Sequence, residues 1–573
     1  MRELVVELIK KALEKEKLKL KEKRINRLIE IPPSHEMGDY AFPCFIIAAE
    51  LKQEPHEAAL YLRAKIGEEP TKDFDSIQVS GPYVNFFVNR KNLAGNLIKQ
   101  ILREKKRFGK NKTGEGQRVM VEFSNPNTHK AFHVGHIRGT SLGESLVRIM
   151  EFSGSKVVRA NYNGDAGMHV AKWIWCYEKY HAKEKIVKDE SWVASIYVDA
   201  VKRLAKNKKL QKQVDEINLK LGTGEDKKLN SLWKKTRKIS LDSLEKVYKE
   251  LNTHFDAYFF ESKVEKRGRE IVDELLTNKI ARISDGALIV NLKKYKLGVW
   301  VLLRKDGTAL YSTKDLALAE AKFKKYKLDK SIYVVANEQN LHLNQLFKTL
   351  GLMKFKDAGK SMHVSFGMIR LPGKKMSSRT GENILYSTFL EQMMNYAGRS
   401  IKKREKAIKL KELNKRALTV SIAAMKYTML KQGSNKDIVF DPKEAINFEG
   451  DTGPYLLYSY ARAGSILKKA RGKTKEINKF DLEEIKELKP KEVELIKKFS
   501  QFPKIVLNAY NLLNPALIAN YSYQLAQTFN EFYHQCPVIG SDEEAFRLSL
   551  VESFRHVIKN ALNLLGIETL EKM

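Results

Sequence analysis

The stretch Val121–His136, VEFSNPNTHKAFHVGH, limits what this chain can fold into more than any other. It passes from a strand into a helix within one short segment. QRVMVEFS is β-branched and apolar enough for a buried parallel strand, and GTSLGESLVRIMEF from Gly139 has helical spacing at Leu142, Leu146 and Ile149. The histidines of HVGH therefore stand at a strand-to-helix switch. In an open α/β sheet this is the carboxyl edge where nucleotides bind, and the free N–H groups at a helix start favour phosphate. Gly135 lets backbone approach a ligand closely.

A second loop points the same way. After the strand-like MHVSFGMIRL the chain reads GKKMSSRTG, a basic, glycine-bearing segment able to swing onto a triphosphate as pyrophosphate leaves. HVGH and KKMSS, in this order, resemble the HIGH and KMSKS signatures of class I aminoacyl-tRNA synthetases. Further runs narrow the resemblance to arginyl-tRNA synthetases: SNPNTHKAFHVGHIRGT, NGDAG (Asn163–Gly167), YSTKD (Tyr311–Asp315), ANEQNLH (Ala336–His342), GPYLLYSYARAGSIL (Gly453–Leu467), GDYAFP (Gly38–Pro43) and SGPYVNFF (Ser80–Phe87). They span nearly the whole chain.

The resemblance implies an α/β fold: a class I Rossmann-type catalytic domain, an N-terminal α+β appended domain and a C-terminal all-α anticodon-binding bundle. We place these at residues 1–112 (appended, tRNA-binding), 113–400 (catalytic, with a charged helical insertion near 178–280) and 401–573 (helical). The implied activity is arginine–tRNA ligation: ATP, carried with Mg2+, activates L-arginine as arginyl-adenylate, which passes to the 2′-hydroxyl of the terminal adenosine of tRNA. The family also implies that the first step needs bound tRNA.

Residue roles follow from the same resemblance. His133 and His136 donate hydrogen bonds to the ATP phosphates, with Gly135, Met376, Ser377 and Ser378 in the nucleotide site, and Lys375 contacts the leaving pyrophosphate. Ser378 replaces the second lysine of KMSKS. Lys130, three residues before His133, supplies that charge from the other side. His129 and Ala131 fall where the family commonly has alanine and proline, which loosens the turn, and Met168 and His169 replace a usual threonine and glutamine.

A guanidinium is planar, always charged and presents five N–H donors, so its reader needs paired carboxylates. Glu122 ends the strand before HVGH, and Tyr311 and Asp315 lie four residues apart at a helix start, on one face. By resemblance Glu122 and Asp315 engage the head group, Tyr311 and Gln339 complete the pocket with Ser124, and Asn127 holds the main-chain end. Hydrogen-bonded reading of a guanidinium makes a separate editing domain unnecessary.

The formal net charge of +35 over 573 residues is the footprint of a polyanion binder such as RNA. In the C-terminal region Tyr458 and Arg462, beside Tyr455 and Tyr460, mix stacking faces with cations; spacing alone favours packing for the individual tyrosines. Tyr83 and Asn85 fall where the family meets the tRNA elbow. No apolar run approaches a membrane span and the amphipathic N-terminal segment lacks a secretory pattern, so a cytoplasmic monomer is expected. Three cysteines without CxxC spacing predict neither disulfides nor structural zinc. Two other readings stay open: a nucleotidylyltransferase sharing the HxGH phosphate site, and a synthetase-like tRNA-binding factor that has lost catalysis.

Overall fold

The computed structural model describes residues 1–15, 18, 20–67, 73–187, 189–370, 372, 384–470, 480 and 487–573. They form two compact units, 1–105 with 470–500 and 532–553, and 106–469 with 501–531 and 554–573. This grouping differs from three consecutive segments. The helices Pro490–Leu512, Ala516–Gln535 and Glu544–Leu564 each divide their residues between the units, and a boundary at 400 would cut the helix Tyr386–Arg404.

The larger unit is built on a five-stranded parallel sheet. Its strands are β1 (Arg118–Glu122), β2 (Lys156–Asn163), β3 (Ala257–Phe260), β4 (Lys330–Ala336) and β5 (Ser361–Phe366), in spatial order β3-β2-β1-β4-β5. The order reverses at β1, which pairs β2 on one side and β4 on the other. A ligand crevice therefore opens beyond the carboxyl end of β1, where the two crossovers diverge to opposite faces. Val119, Met120 and Val121 of β1 are all buried, as a strand covered on both faces requires.

The charged insertion is narrower than 178–280. Three helices, Glu190–Lys206, Gln211–Thr223 and Lys227–Glu250, precede β3, which pairs in parallel with β2 and belongs to the sheet. The four-residue strand AYFF lies between charged helices, so local pattern absorbs it into them. After the helix Glu261–Thr277 comes a three-stranded antiparallel sheet, Ala281–Ser284, Ala287–Asn291 and Val299–Leu303. The Ser312 and Thr313 hydroxyls donate to Val301 O and Leu302 O of its last strand at 2.5 and 2.7 Å, which fixes the start of the helix Tyr311–Tyr326.

The smaller unit carries a three-stranded antiparallel sheet with Tyr83–Val88 between Tyr40–Pro43 and Phe74–Ser80. Val5, Ile9, Phe42, Ile47, Val84 and Phe86 pack its core against the N-terminal helices. The amphipathic N-terminal segment forms two helices, Arg2–Lys15 and Glu22–Leu28.

Candidate active site

Four of the five strands of the parallel sheet deliver a polar group to its carboxyl edge among the described residues. β1 ends in Glu122, β2 runs into Asn163–Asp165, β3 is followed by Glu261 and β4 by the turn Asn337–Gln339. Lys375, Met376, Ser377 and Ser378 lie outside the described residues. Gln339 is exposed at the end of its turn.

The segment after β1 is held in an uncommon backbone. Ser124, Asn125 and His129 all have positive φ, at 73°, 47° and 61°, in the sparsely populated left-handed region. Side chains fix each of them. Ser124 Oγ accepts from Thr140 Oγ1 at 2.9 Å, and Asn125 accepts from Tyr162 N at 2.9 Å while donating to Glu122 Oε1 at 3.0 Å. Pro126 and Thr128 are joined to Asn163 and Gly164 by Asn163 Nδ2 donating to Pro126 O and Thr128 N to Gly164 O. Gly164 is required there: a Cβ would stand 2.1 Å from Asn127 Oδ1 and 3.1 Å from Glu261 Oε1.

His133 is the N-cap of the helix Val134–Phe152. Its ring stacks on His136 with centroids 3.8 Å apart, and its backbone N–H donates to His136 Nδ1 at 3.1 Å. Gly135 makes room for this: a Cβ would meet the His133 ring at 3.0 Å. Burial, then the nearby Lys130 charge, pushes His133 down to about 4. Burial and then His133 drive His136 well below the ordinary imidazole range. Both rings are neutral N–H donors near pH 7. His133 Nδ1 is buried with no hydrogen-bond partner among the described residues. Burial, and then Lys172, also lower Lys130.

On the opposite side lies a ring of carboxylates. The buried Tyr162 hydroxyl, without a hydrogen-bond partner among the described residues, is driven up first by burial and then by Asp315, Glu261, Glu122 and Asp165. Three of these acids have strong cationic partners. Lys322 meets Glu122 at 2.5 Å, Lys314 meets Glu261 at 2.9 Å and Arg237 meets Asp165 at 2.6 Å. Among the described residues the ion-pair partner of Asp315 is His342, whose Nε2 lies 2.6 Å away. Glu122 is 3% exposed and bound by Lys322 and Asn125, so its carboxylate is buried beneath the sheet edge. Burial pushes the Glu261 carboxyl up to about 7, against the pull of Lys314.

Tyr311 is 59% exposed, one helical turn before Asp315. The structure thus brings together Glu122, Asn127, Tyr311 and Asp315, and it adds Glu261, Asp165, Tyr162 and His342. Ser124 is held by Thr140 within the turn. His169 is buried and its Nε2 bonds Gly164 O at 3.1 Å, so it braces the NGDAG turn. Elsewhere, Cys176, His181 and Asp199 bring three metal-type donors within 4.8 Å of one another, but Arg203 Nε already lies 2.7 Å from Asp199 Oδ2.

The buried histidines make a measurable contribution to pH dependence. Burial depresses His129 and His169 to about 3, against an ordinary value near 6.5. Each is neutral when folded, so the unfolded chain binds more protons below pH ~6.5. Stability is full above that value and falls as pH drops towards the folded pKa, by roughly 1.4 kcal/mol per pH unit per histidine. Melting curves between pH 7 and 4.5 should show this decline, and His129→Asn should flatten it; equal slopes for variant and parent would refute the assignment.

Comparison with known proteins agrees with this geometry along the full chain. Residues 97–442 match the family model for the class I (R) tRNA synthetase catalytic domain, 456–573 the DALR anticodon binding domain, and 3–88 the arginyl tRNA synthetase N-terminal domain. The arginine–tRNA ligase of Clostridium perfringens is 37% identical over 565 residues, covering 98% of each chain. The chain belongs to the arginyl-tRNA synthetase family. The Clostridium kluyveri arginine–tRNA ligase is 38% identical over 558 residues, covering 96% of each chain. Among solved structures, the Thermus thermophilus arginyl-tRNA synthetase superposes with a TM-score of 0.75 at 26% identity, covering all of both chains. The Plasmodium falciparum enzyme shares the fold at a TM-score of 0.72 and 22% identity, covering 99% of this chain and 98% of its own.

The residues expected to meet RNA have mixed settings within this family frame. Tyr458 and Arg462 are half-buried and bonded to each other, with the guanidinium 4.6 Å from the Tyr458 ring centroid and 2.8 Å from Asn530 Oδ1. Tyr460 is buried and its hydroxyl donates to Glu571, which is packing, as spacing favours. Asn85 is buried, whereas Tyr83 is half-buried edge-on to Phe45, itself 51% exposed. Among the described residues no helix is long and apolar enough to cross a membrane.

Proposed function

We propose that this chain is an arginine–tRNA ligase whose sheet edge holds arginine and MgATP side by side. The carrying observation is the carboxylate ring around Tyr162, which contains one acid, Asp315, with no lysine or arginine partner among the described residues. A guanidinium supplies the missing charge. Glu261 and Asp315 set the negative field, Tyr311 and Gln339 close the pocket over the side chain, and Asn127, beside Gly164, holds the main-chain end. The arginine carboxylate oxygen attacks the α-phosphorus of ATP and pyrophosphate leaves. No residue needs to become covalently attached, because positioning and electrostatic stabilisation suffice. The neutral N–H groups of His133 and His136, the Lys130 ammonium and Lys375 take the charge developing on the phosphates. The ribose hydroxyl of the terminal adenosine of tRNA then displaces AMP from the adenylate.

The half-buried aromatic and basic groups at Tyr83, Tyr458 and Arg462 serve tRNA binding, and the protein acts as a cytoplasmic monomer. The test is charging of total tRNA with labelled arginine. Acid-precipitable label that requires ATP and tRNA supports the reading, whereas tRNA binding without charging favours the inactive factor.

A further inference from the structure

The turn 129–132, which carries Lys130 into the phosphate site, is gripped at three of its four residues by two helices of the insertion. The His129 side chain is fully buried, and its Nε2 lies 2.9 Å from Thr236 Oγ1 while its backbone N–H donates to Ser240 Oγ at 3.0 Å. Thr236 and Ser240 are four residues apart on the helix Lys227–Glu250, so they present one face. Thr236 donates its own proton to Leu232 O, at 2.9 Å. The His129 ring therefore donates from Nε2, and its Nδ1 lies 3.0 Å from Thr128 Oγ1, which itself donates to Gly164 O at 3.2 Å. The Lys130 ammonium sits 5.2 Å from the centroid of Tyr197, on the helix Glu190–Lys206. Glu190, the first residue of that helix, accepts the Phe132 N–H at 2.8 Å.

The chain following the KKMSS loop joins the same point. Tyr386 N donates to Phe132 O at 2.9 Å, Val134 N donates to Ile384 O, and the Tyr386 hydroxyl donates to Glu250 at 2.9 Å. Ala131 lacks the φ restraint a proline would give, and His129 sits at a φ of 61°, in the sparsely populated left-handed region. The turn does not hold itself.

We propose that the helical insertion is a clamp on the phosphate-binding turn, with His129 and Glu190 as positioning residues that aim Lys130 and the His133 ring at the triphosphate. This rests on the reading of that turn as the ATP site. The insertion thus contributes to the first chemical step without touching a reactant. A displacement of about 1 Å at a reacting group costs up to roughly a hundredfold in rate, so the expected signature is specific to ATP.

The test is steady-state pyrophosphate exchange by the full chain, with arginine and tRNA present, for Thr236→Val with Ser240→Ala, Glu190→Ala and Glu190→Gln. The valine is isosteric and leaves the turn's own sequence intact. The clamp requires KM for ATP to rise, or kcat to fall, by about tenfold or more, with KM for arginine within twofold and the melting temperature little changed. Glu190→Gln, which keeps an acceptor for Phe132 N–H, should recover most of the loss seen in Glu190→Ala. Wild-type ATP kinetics in these variants, or parallel rises in both KM values, would overturn the clamp and leave plain packing. Absence of exchange in the parent protein would instead refute the ATP-site reading beneath it.

Discussion

Replacing Asp315 by asparagine is expected to lower kcat/KM for arginine by about a thousandfold, with KM for ATP moving less than about threefold. Of the four carboxylates around Tyr162, Glu122, Glu261 and Asp165 each have a lysine or arginine partner, and Asp315 has His342. Trp300 Nε1 donates to His342 Nδ1 at 3.4 Å, which leaves the His342 Nε2 to face Asp315 Oδ2 at 2.6 Å. On the proposed reading, the guanidinium of arginine is the lysine- or arginine-type partner that Asp315 lacks among the described residues. Leaving one partner of a buried charge pair without the other costs about 3–5 kcal/mol. Asparagine keeps the shape and one acceptor, so the loss reports charge and not packing. Steady-state exchange at varied arginine measures it, and an unchanged KM for arginine would remove Asp315 from the pocket.

Lys130→Ala is expected to lower exchange at limiting ATP by about a hundredfold, the range for removing one group that stabilises developing charge. Lys130 depresses His133 next after burial, and His136 after burial and His133, so its charge acts on both rings of the HVGH turn. Ser378 stands where the related signature carries a lysine, and on the proposed reading Lys130 supplies that charge from the turn. Adding Ser378→Lys to Lys130→Ala should therefore recover much of the activity, because one cation near the leaving group does the same work from either side. Wild-type adenylate formation by Lys130→Ala would sink this account. Loss without recovery would show that position, and not charge alone, matters.

The parts of the site legible in the sequence are those set by local pattern. HVGH lies where a β-branched run meets a helix, Glu122 where that run ends, and Asp315 one turn into a helix; each placement needs only periodicity and a neighbouring motif. Glu261 was hidden because its nearness to Gly164 depends on β3 pairing with β2, Asn163 against Phe260, a pairing between distant segments. His129 reads in the sequence as a loss of turn rigidity. The structure reverses that meaning, because Thr236 and Ser240, more than a hundred residues away, hold its ring and its backbone N–H. Glu122 was legible in place but not in partner, since Lys322 reaches it only once the helix Tyr311–Tyr326 packs on the sheet. In the helix Gly453–Lys469, aromatic spacing cannot distinguish the buried Tyr460 from the half-exposed Tyr458, because the face that meets the core is chosen by other helices.

The measurement closest to the central claim is exchange of labelled pyrophosphate into ATP, with arginine, lysine or glutamate, each with and without total tRNA. The expected result is exchange with arginine alone among the three, and only when tRNA is present. Exchange with lysine, or none under any condition by protein shown to be folded, would contradict an arginine-specific adenylate site at this sheet edge.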